Sequence, residues 1–475
     1  MTDKQKKKIL IVIASDLYVR NYITTDAFSD LEKNYDCYYL SNDSITLKDL
    51  VQQKKEHVDF FGIDNVAHRE HFKLLEVLMW RYRKRCSTFR FRFLRLINIQ
   101  LLIWNGNPKE YLRNVASFVR ANLLSRHSKV YYSLIFGNKF VFKFRFPSLF
   151  YNIPVNQDLK NKVLDVNPDL IIFPSAAYDP TGIDLIQIAK ERNIASLFLI
   201  DNWDNLSSKS VFYIRPDFLG VWGEQSKKHA IDIHEFKEEQ VFEVGTPRFD
   251  SYYQVNNKKI PSYFSFEYVL FVGCAIPFDE LSALKILDAE ISQNPDRYDG
   301  LKIIYRPHPW RQRRLKEDFF RECEFKNIIL DPQMTAYYQE QKSSISFQPE
   351  LNYYPSLLSN ARFVTGPLTT MLIEASIFYR SVLAIAYNDG IHFTSPHNAL
   401  KYYAHFQGLE QLEGLSLSKK RSQYAHNFKQ VFLTNKTLDR DQLRKSLNYF
   451  LYQGKSSYAS HIRRKIDKIF DSGRK

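Results

Sequence analysis

Short apolar runs alternate with longer stretches of helical spacing along most of this chain. In the first half the runs fall at residues 8–14, 37–40, 170–173, 196–200, 218–222 and 241–244. In the second half they fall at 268–272, 301–305, 328–330, 362–365 and 382–386. Each is nearly continuous in Val, Ile, Leu and Phe, as expected of a parallel strand buried on both faces. The stretches between them, such as 182–192 and 278–292, have helical length. The alternation predicts an α/β protein with parallel sheets. The series restarts near Tyr268, after the polar residues 254–259. Two Rossmann-like domains facing a cleft are therefore expected: an N-terminal one over 1–255, a C-terminal one over 256–417, and a charged helical tail over 418–475 that could pack back across both domains.

Residues 70–150, roughly, interrupt the strand–helix pattern of the first half. From Arg81 to Arg95 there are seven Arg and Lys and no acid, interleaved with Tyr82, Phe89, Phe91 and Phe93. From Lys139 to Phe146 charged and aromatic residues alternate. One reading is a solvated helical insertion whose aromatic residues pack on their own domain. The other is a patch on the inner membrane surface, with cations meeting anionic lipid and rings anchoring at the interface.

Composition narrows the class. A chain of 475 residues suits two domains. Apolar (44%) and charged (25%) contents are ordinary for a folded protein, while 37 Phe and 30 Tyr make the chain rich in aromatic residues. The net charge of +15 points to an anionic partner: lipid, nucleic acid or substrate. No zinc-knuckle, ribonucleoprotein or helix-turn-helix pattern accompanies the charge, so nucleic acid is not the expected partner. Cys37, Cys86, Cys274 and Cys323 are far apart and form no C-x-x-C pair. That speaks against a metal cluster or a disulfide framework and for the reduced thiols of a cytoplasmic protein. The basic start from Lys4 to Lys8 leads into apolar residues 9–14, a run that Asp16 ends. Secretory signals need an apolar region of roughly 7–15 residues, so this run reads as a first strand. No stretch approaches the ~18 apolar residues of a membrane span.

The candidate chemistry lies where the runs break. Arg306-Pro307-His308-Pro309 follows a strand, and its two prolines stiffen the turn. A guanidinium and an imidazole held there suit a phosphate or pyrophosphate leaving group. Gly366-Pro367-Leu368-Thr369-Thr370 follows a second strand and precedes a helical stretch. Thr369 or Thr370 is expected to cap that helix, whose free N–H groups would face an anion. Glu374, a turn further on, could accept from sugar hydroxyls or simply stabilise the helix start. The two motifs are expected on neighbouring strands. Ligands of open α/β sheets sit beyond the carboxyl ends of the strands.

In the first domain, residues 201–209 (Asp201, Asn202, Trp203, Asp204, Asn205, Lys209 among them) are dense in groups that bond hydroxyls. Trp203 could stack on a sugar face, although Asn and Asp also populate plain turns. Gly245-Thr246-Pro247-Arg248-Phe249-Asp250 ends the last strand of this half, with Arg248 either facing the cleft or pairing with Asp250. Asp16, Arg20 and Asn21 follow the first strand, where a base or an acceptor contact would sit. The chain has no G-x-x-x-x-G-K-[ST], no G-x-G-x-x-G after the first strand, no H-E-x-x-H and no G-x-S-x-G. Walker-type kinase, dehydrogenase, zinc protease and α/β-hydrolase readings lose support accordingly.

Across residues 165–390, roughly, the order of these motifs resembles that of GT-B glycosyltransferases of bacterial surface polysaccharide synthesis. It is similar in particular to a cluster of capsule Kdo transferases, sialyltransferases with an H-P motif, and CDP-glycerol glycerophosphotransferases. The residues carrying the resemblance are Trp203 to Lys209, Val221-Trp222-Gly223-Glu224, Val244 to Asp250, Arg306 to Pro309, and Thr365 to Glu374. The resemblance implies a two-domain GT-B fold and a nucleotide bound by His308, Thr369 and Thr370, with Arg306 assisting. The glycerophosphotransferases have Asp-Tyr-Ser-Ser where this chain has Gly366-Pro367-Leu368-Thr369, which favours a sugar donor over CDP-glycerol.

The expected activity is metal-independent transfer of a sugar from a CMP- or other NDP-sugar to a glycan or lipid-linked glycan, with no cofactor. The donor would lie on Arg306, His308, Gly366, Thr369, Thr370 and Glu374. The acceptor would lie on Arg20, Asn21, Asp201, Asn202, Trp203, Asn205 and Lys209. Asp16 or Asp204 would take the acceptor proton, and His308 would serve the leaving phosphate. The alternatives are a CDP-glycerol-type phosphotransferase, a nucleotide-sugar epimerase of the same fold, and a non-enzymatic membrane- or nucleic-acid-binding protein.

Overall fold

The first apolar run forms strand β1 (Lys8–Ile13), and five of its six residues are buried. Its residues serve two cores by alternation: Ile9, Ile11 and Ile13 on one face of the sheet, Leu10 and Val12 on the other. β1 pairs in parallel with β2 (Asp36–Asn42) and β4 (Leu170–Ser175). With β3 (Val58–Phe61), β5 (Ala195–Ile200), β6 (Phe218–Val221) and β7 (Val241–Glu243), they make a seven-stranded parallel sheet in the order β3-β2-β1-β4-β5-β6-β7. The structure is a computed structural model that describes residues 6–104, 106–124, 134–256, 260–309, 320, 324–339, 353–434, 438–454 and 456–471.

A second parallel sheet comprises β8 (Tyr268–Val272), β9 (Lys302–Arg306), β10 (Ile328–Leu330), β11 (Val364–Pro367), β12 (Val382–Ile385) and β13 (Leu415–Ser418). Its order is β10-β9-β8-β11-β12-β13. Counted from its own first strand, each sheet begins 3-2-1-4-5-6, the doubly wound order. The strand order reverses between β1 and β4, and again between β8 and β11. The chain thus has the expected α/β class with two Rossmann-like halves. All eleven strands read from the sequence are present; the sequence did not reveal β3 and β13.

The chain divides into two compact units, one of Met1–Pro247 with Leu451–Lys475, the other of Arg248–Phe450. The expected boundary at 255 therefore moves to 247/248. The helical tail is shared between the two units. Helices Tyr424–Thr434 and Arg440–Phe450 belong to the second unit, and helix Tyr458–Asp471 returns to the first. Tyr458, Ile462, Ile466 and Ile469 form one stripe of that returning helix, buried with Ile9, Ile11 and Tyr22. Tyr35 adds a hydrogen bond to Asp467 (2.6 Å). The approach is tight at the entry to this segment: a Cβ on Gly245 would lie 2.8 Å from the Tyr452 carbonyl oxygen.

The insertion is helical, with helices Asn65–Arg81, Ser87–Leu96, Pro108–Val119 and Lys139–Tyr151. The expected membrane patch from Arg81 to Arg95 is corrected in part, because most of its cations bind the unit's own backbone or acids. Arg81 donates to the Phe136 carbonyl (2.8 Å) and covers the Phe142 ring. Arg83 donates to the Trp80 carbonyl, Lys84 to the Gly137 carbonyl and Arg92 to the Ser208 carbonyl. Arg85 pairs with Glu235 at 2.9 Å.

Candidate active site

The carboxyl ends of β8, β9 and β11 converge on one dipeptide, Val272–Gly273. On one flank stands Gly366 in β11, at φ +143, where an added Cβ would lie 2.1 Å from the Val272 carbonyl oxygen. On the other flank, a Cβ on Gly273 would lie 3.0 Å from the His308 nitrogen and 3.0 Å from the Pro307 Cα. The Gly273 N–H donates to the Arg306 carbonyl (2.8 Å). The histidine turn and the Gly366–Thr370 segment are thus held against opposite sides of the end of β8. They do not lie on neighbouring strands as expected: β8 stands between β9 and β11. Both glycines serve close backbone packing, and Gly366 shapes this rim.

His308 is partly exposed at this rim, whereas Arg306 is 3% exposed. Its guanidinium pairs with buried Asp331 and donates to Gln333 (2.8 Å) and the Tyr354 hydroxyl (2.9 Å). Burial alone would depress the guanidinium, but Tyr354 and Asp331 outweigh it and hold it above its ordinary value. A buried charge with these partners is committed to the fold. The expected role of Arg306 as a phosphate fork is therefore replaced by one of holding the base of the turn.

Glu374 is likewise committed. Buried in the helix Met371–Ile377, it accepts from Arg248 and from the Tyr252 hydroxyl (3.0 Å). It is not offered to sugar hydroxyls, and Arg248 pairs with it as well as lying over the Phe249 ring. Thr370 occupies the N-cap position in helical conformation and makes no side-chain capping bond, contrary to expectation. Thr369 and Thr370 are both partly exposed beside the end of β11.

Two groups at this rim were not among the expected site residues, although the loop 387–390 after β12 reads from the sequence as lying near the same crevice. Fully buried Glu280 accepts from the Cys274 N–H (3.0 Å) and the Tyr305 hydroxyl (2.7 Å), tying the loop after β8 to β9. Beyond β12, Asp389 accepts from the Asp279 N–H (3.0 Å) and lies 2.6 Å from Nδ1 of His392. Burial would raise this carboxyl. The hydrogen bonds from the His392 N–H and ring, the Ile391 N–H and the Asp279 N–H outweigh burial and hold it below the usual carboxylate range. An aspartate that fixes Nδ1 of a partly exposed imidazole leaves Nε2 oriented for proton transfer or phosphate contact. The Asp389–His392 spacing of three residues in a strand-end loop was the available signal.

In the first unit, the end of β1 runs through a short helix into a π-helical turn, Val19–Ile23. Such turns are rare and recur at functional sites. Asn21 is buried and donates to Asp201 (3.0 Å), joining the ends of β1 and β5, and Arg20 donates to the Asn21 side chain (3.1 Å). The Tyr18 hydroxyl accepts from the Ala176 N–H after β4 (2.9 Å). Burial, reinforced by Asp201 and Asp179, holds that phenol well above its ordinary value. The structure therefore brings Arg20, Asn21 and Asp201 together.

Asp16, Trp203 and Asn205 serve the fold instead. Asp16 accepts from the Thr46 N–H (2.9 Å), the Thr46 hydroxyl (2.7 Å) and the Leu47 N–H (3.2 Å), bracing a loop. Trp203 is 2% exposed and Asn205 fully buried, so neither offers a face to a sugar. Asn202 accepts from the Trp203 N–H (3.0 Å), and Asp204 accepts from the Ser208 hydroxyl (2.8 Å). Asn202, Asp204 and Lys209 stay partly exposed. Among the described residues, no group of three or more His, Cys, Asp and Glu could hold a metal ion.

No family model matches the chain, and no curated protein matches it. Solved structures do. The UDP-GlcNAc 2-epimerase of Methanocaldococcus jannaschii is 12% identical, with a TM-score of 0.48 over 98% of this chain and 100% of that one. The UDP-GlcNAc 2-epimerase of Neisseria meningitidis, bound to UDP-GlcNAc, is 11% identical, with a TM-score of 0.46 over 97% and 100%. The calicheamicin glycosyltransferase is 10% identical, with a TM-score of 0.45 over 98% of both chains. At these scores the fold stands on its own strand orders and pairings.

Proposed function

We propose that this chain is a nucleotide-sugar enzyme whose second unit binds the donor at the rim formed by β8, β9, β11 and β12. The observation that carries the reading is the pinning of the His308 turn and the Gly366–Thr370 segment to the two sides of Val272–Gly273, at the switch point of a doubly wound sheet. His308 donates to a phosphate oxygen of the leaving nucleotide, and Thr369 and Thr370 contribute hydroxyls beside it. The favoured reaction is glycosyl transfer to a surface glycan. The bond from the sugar carbon to the nucleotide oxygen breaks, and a bond to an acceptor hydroxyl oxygen forms. Within the first unit, partly exposed Asp204 is a carboxylate able to take a proton from a hydroxyl, and Arg20, Asp201, Asn202 and Lys209 are partly exposed polar groups able to bind an acceptor, with buried Asn21 holding Asp201. The reaction needs no metal on this reading, and activity persists in EDTA.

Thermal unfolding in the presence of CMP, CDP, UDP, GDP and their sugars tests it. A ligand at 100 times its Kd adds about 2.7 kcal/mol of apparent stability. His308→Ala removes a charge-assisted hydrogen bond and weakens nucleotide binding by roughly tenfold to a hundredfold. The unliganded melting temperature of the variant, measured alongside, separates loss of the site from loss of the fold. Equal nucleotide affinity in wild type and His308→Ala would refute the site. Turnover of a nucleotide sugar with no acceptor present would replace transfer by epimerisation.

A further inference from the structure

Residues 81–151 contain fifteen Arg and Lys against one acid, Glu110, so this segment supplies +14 of the chain's net +15. The same stretch carries most of the exposed large apolar side chains among the described residues. Phe140, Phe144 and Tyr151 are 75, 70 and 61% exposed, and Leu112 and Leu124 are 67 and 73% exposed. Such residues would ordinarily be covered.

Helix geometry separates two faces of helix Lys139–Tyr151. Phe142, Phe146 and Phe150, four apart, turn inward: Arg81 lies over the Phe142 ring, and Phe150 packs on Tyr213 at 4.5 Å. Phe140, Phe144 and Tyr151 share another face, within about 40° of one another at 100° per residue. Lys139, Lys143 and Arg145 on the same helix are exposed, and the helix contains no acid. Helix Pro108–Val119, earlier in the same insertion, buries no residue at all. From Arg81 to Arg92, by contrast, most of the cations are spent on the unit's own structure.

We propose that the outward face of helix Lys139–Tyr151, together with the exposed segment 108–124 of the same insertion, forms a docking surface for an anionic lipid bilayer. Exposed rings and leucines enter the boundary between headgroups and acyl chains, while the flanking cations meet lipid phosphates. The charge complementarity fixes the sign of the partner. The aliphatic side chains, Leu112 and Leu124, favour hydrocarbon over nucleic acid, whose bases reward flat rings. The contact is a surface one: among the described residues no helix is long and apolar enough to cross a membrane. The surface lies wholly within the first unit and is independent of the donor site.

The test is co-sedimentation of the full chain with vesicles of phosphatidylglycerol or of phosphatidylcholine. Binding to the anionic vesicles exceeds binding to the neutral ones by on the order of tenfold or more and weakens as salt is raised. Phe140→Ser with Phe144→Ser lowers anionic-vesicle binding by about tenfold. Thermal unfolding of the double variant is unchanged, because both rings are already in water. Absence of anionic-vesicle binding by the wild type overturns the proposal. So does equal binding by the double variant, or a self-association, seen by light scattering, that the double variant abolishes. Preferential binding of RNA over anionic vesicles overturns it too.

Discussion

Single residues at the rim of the second sheet show how function-like chemistry can be recruited for packing. Gly366 adopts φ +143 and leaves no space for a methyl group against the Val272 carbonyl oxygen. Gly366→Ala is therefore expected to cost the second unit roughly 3 kcal/mol or more, combining backbone strain with overpacking. Gly300 is the control: its φ is +74, but no atom lies within 4 Å of an added Cβ. Gly300→Ala should cost about 1 kcal/mol from backbone strain alone. Urea unfolding of the two variants measures the gap, and equal losses would contradict the close approach. The sequence marked the right residues here but could not assign their partners. Arg306 meets Asp331, and Glu374 meets Arg248, across sequence separations that no local pattern encodes.

At the scale of elements, what the sequence revealed follows from burial. The eleven recognised strands include both sheet centres, where β1 and β8 read as unbroken apolar runs. The two missed strands, β3 and β13, lie at sheet edges and have the same half-exposed burial pattern, so their sequences (VDFF and LSLS) mix polar with apolar residues. The insertion's docking onto the first sheet was equally hidden, although it buries ionisable groups. His234 ends helix Glu224–His234, fully buried against the rings of Tyr82 and Phe212, with Nε2 2.6 Å from the Leu206 carbonyl. Burial, with His229, Arg215 and Arg85 nearby, pushes it down to about 3. Burial beside His68 likewise pushes His71 down to about 4. An unfolded histidine takes up its proton near pH 6.5, before these do. The stability from keeping them neutral is thus complete above that pH and is lost as pH falls toward 4 and then 3. Each contributes a slope of up to about 1.4 kcal/mol per pH unit in its window. His234→Gln should flatten the stability profile of the first unit between pH 6 and 4 relative to wild type. An unchanged slope in urea titrations would show that His234 does not titrate as its burial requires.

At the scale of the whole molecule, the chain crosses from the first unit to the second at Pro247–Arg248 and comes back at Phe450–Leu451. The first unit is therefore completed only by the last residues of the chain, and its core depends on a helix more than four hundred residues from β1 in sequence. The region after 418 reads from its sequence as a charged helical tail that packs back on the domains, and the apolar stripe at 458, 462, 466 and 469 is what the fold uses to do so. Removal of residues 451–475 strips Tyr458, Ile462, Ile466 and Ile469 from the face of the sheet that carries Ile9, Ile11 and Ile13. At about 1.5–3 kcal/mol for each buried side chain, the loss is comparable to the whole stability of an ordinary domain. The truncated chain should lose the cooperative unfolding of its first unit. The second unit keeps all its own strands, the His308 turn and the Asp389–His392 pair, so its nucleotide binding should persist within about twofold by calorimetry. Limited proteolysis should then cleave within 6–247 and spare 248–450. Equal protection of both segments would mean that the returning helix is dispensable, and loss of nucleotide binding would mean that the donor site needs an intact first unit.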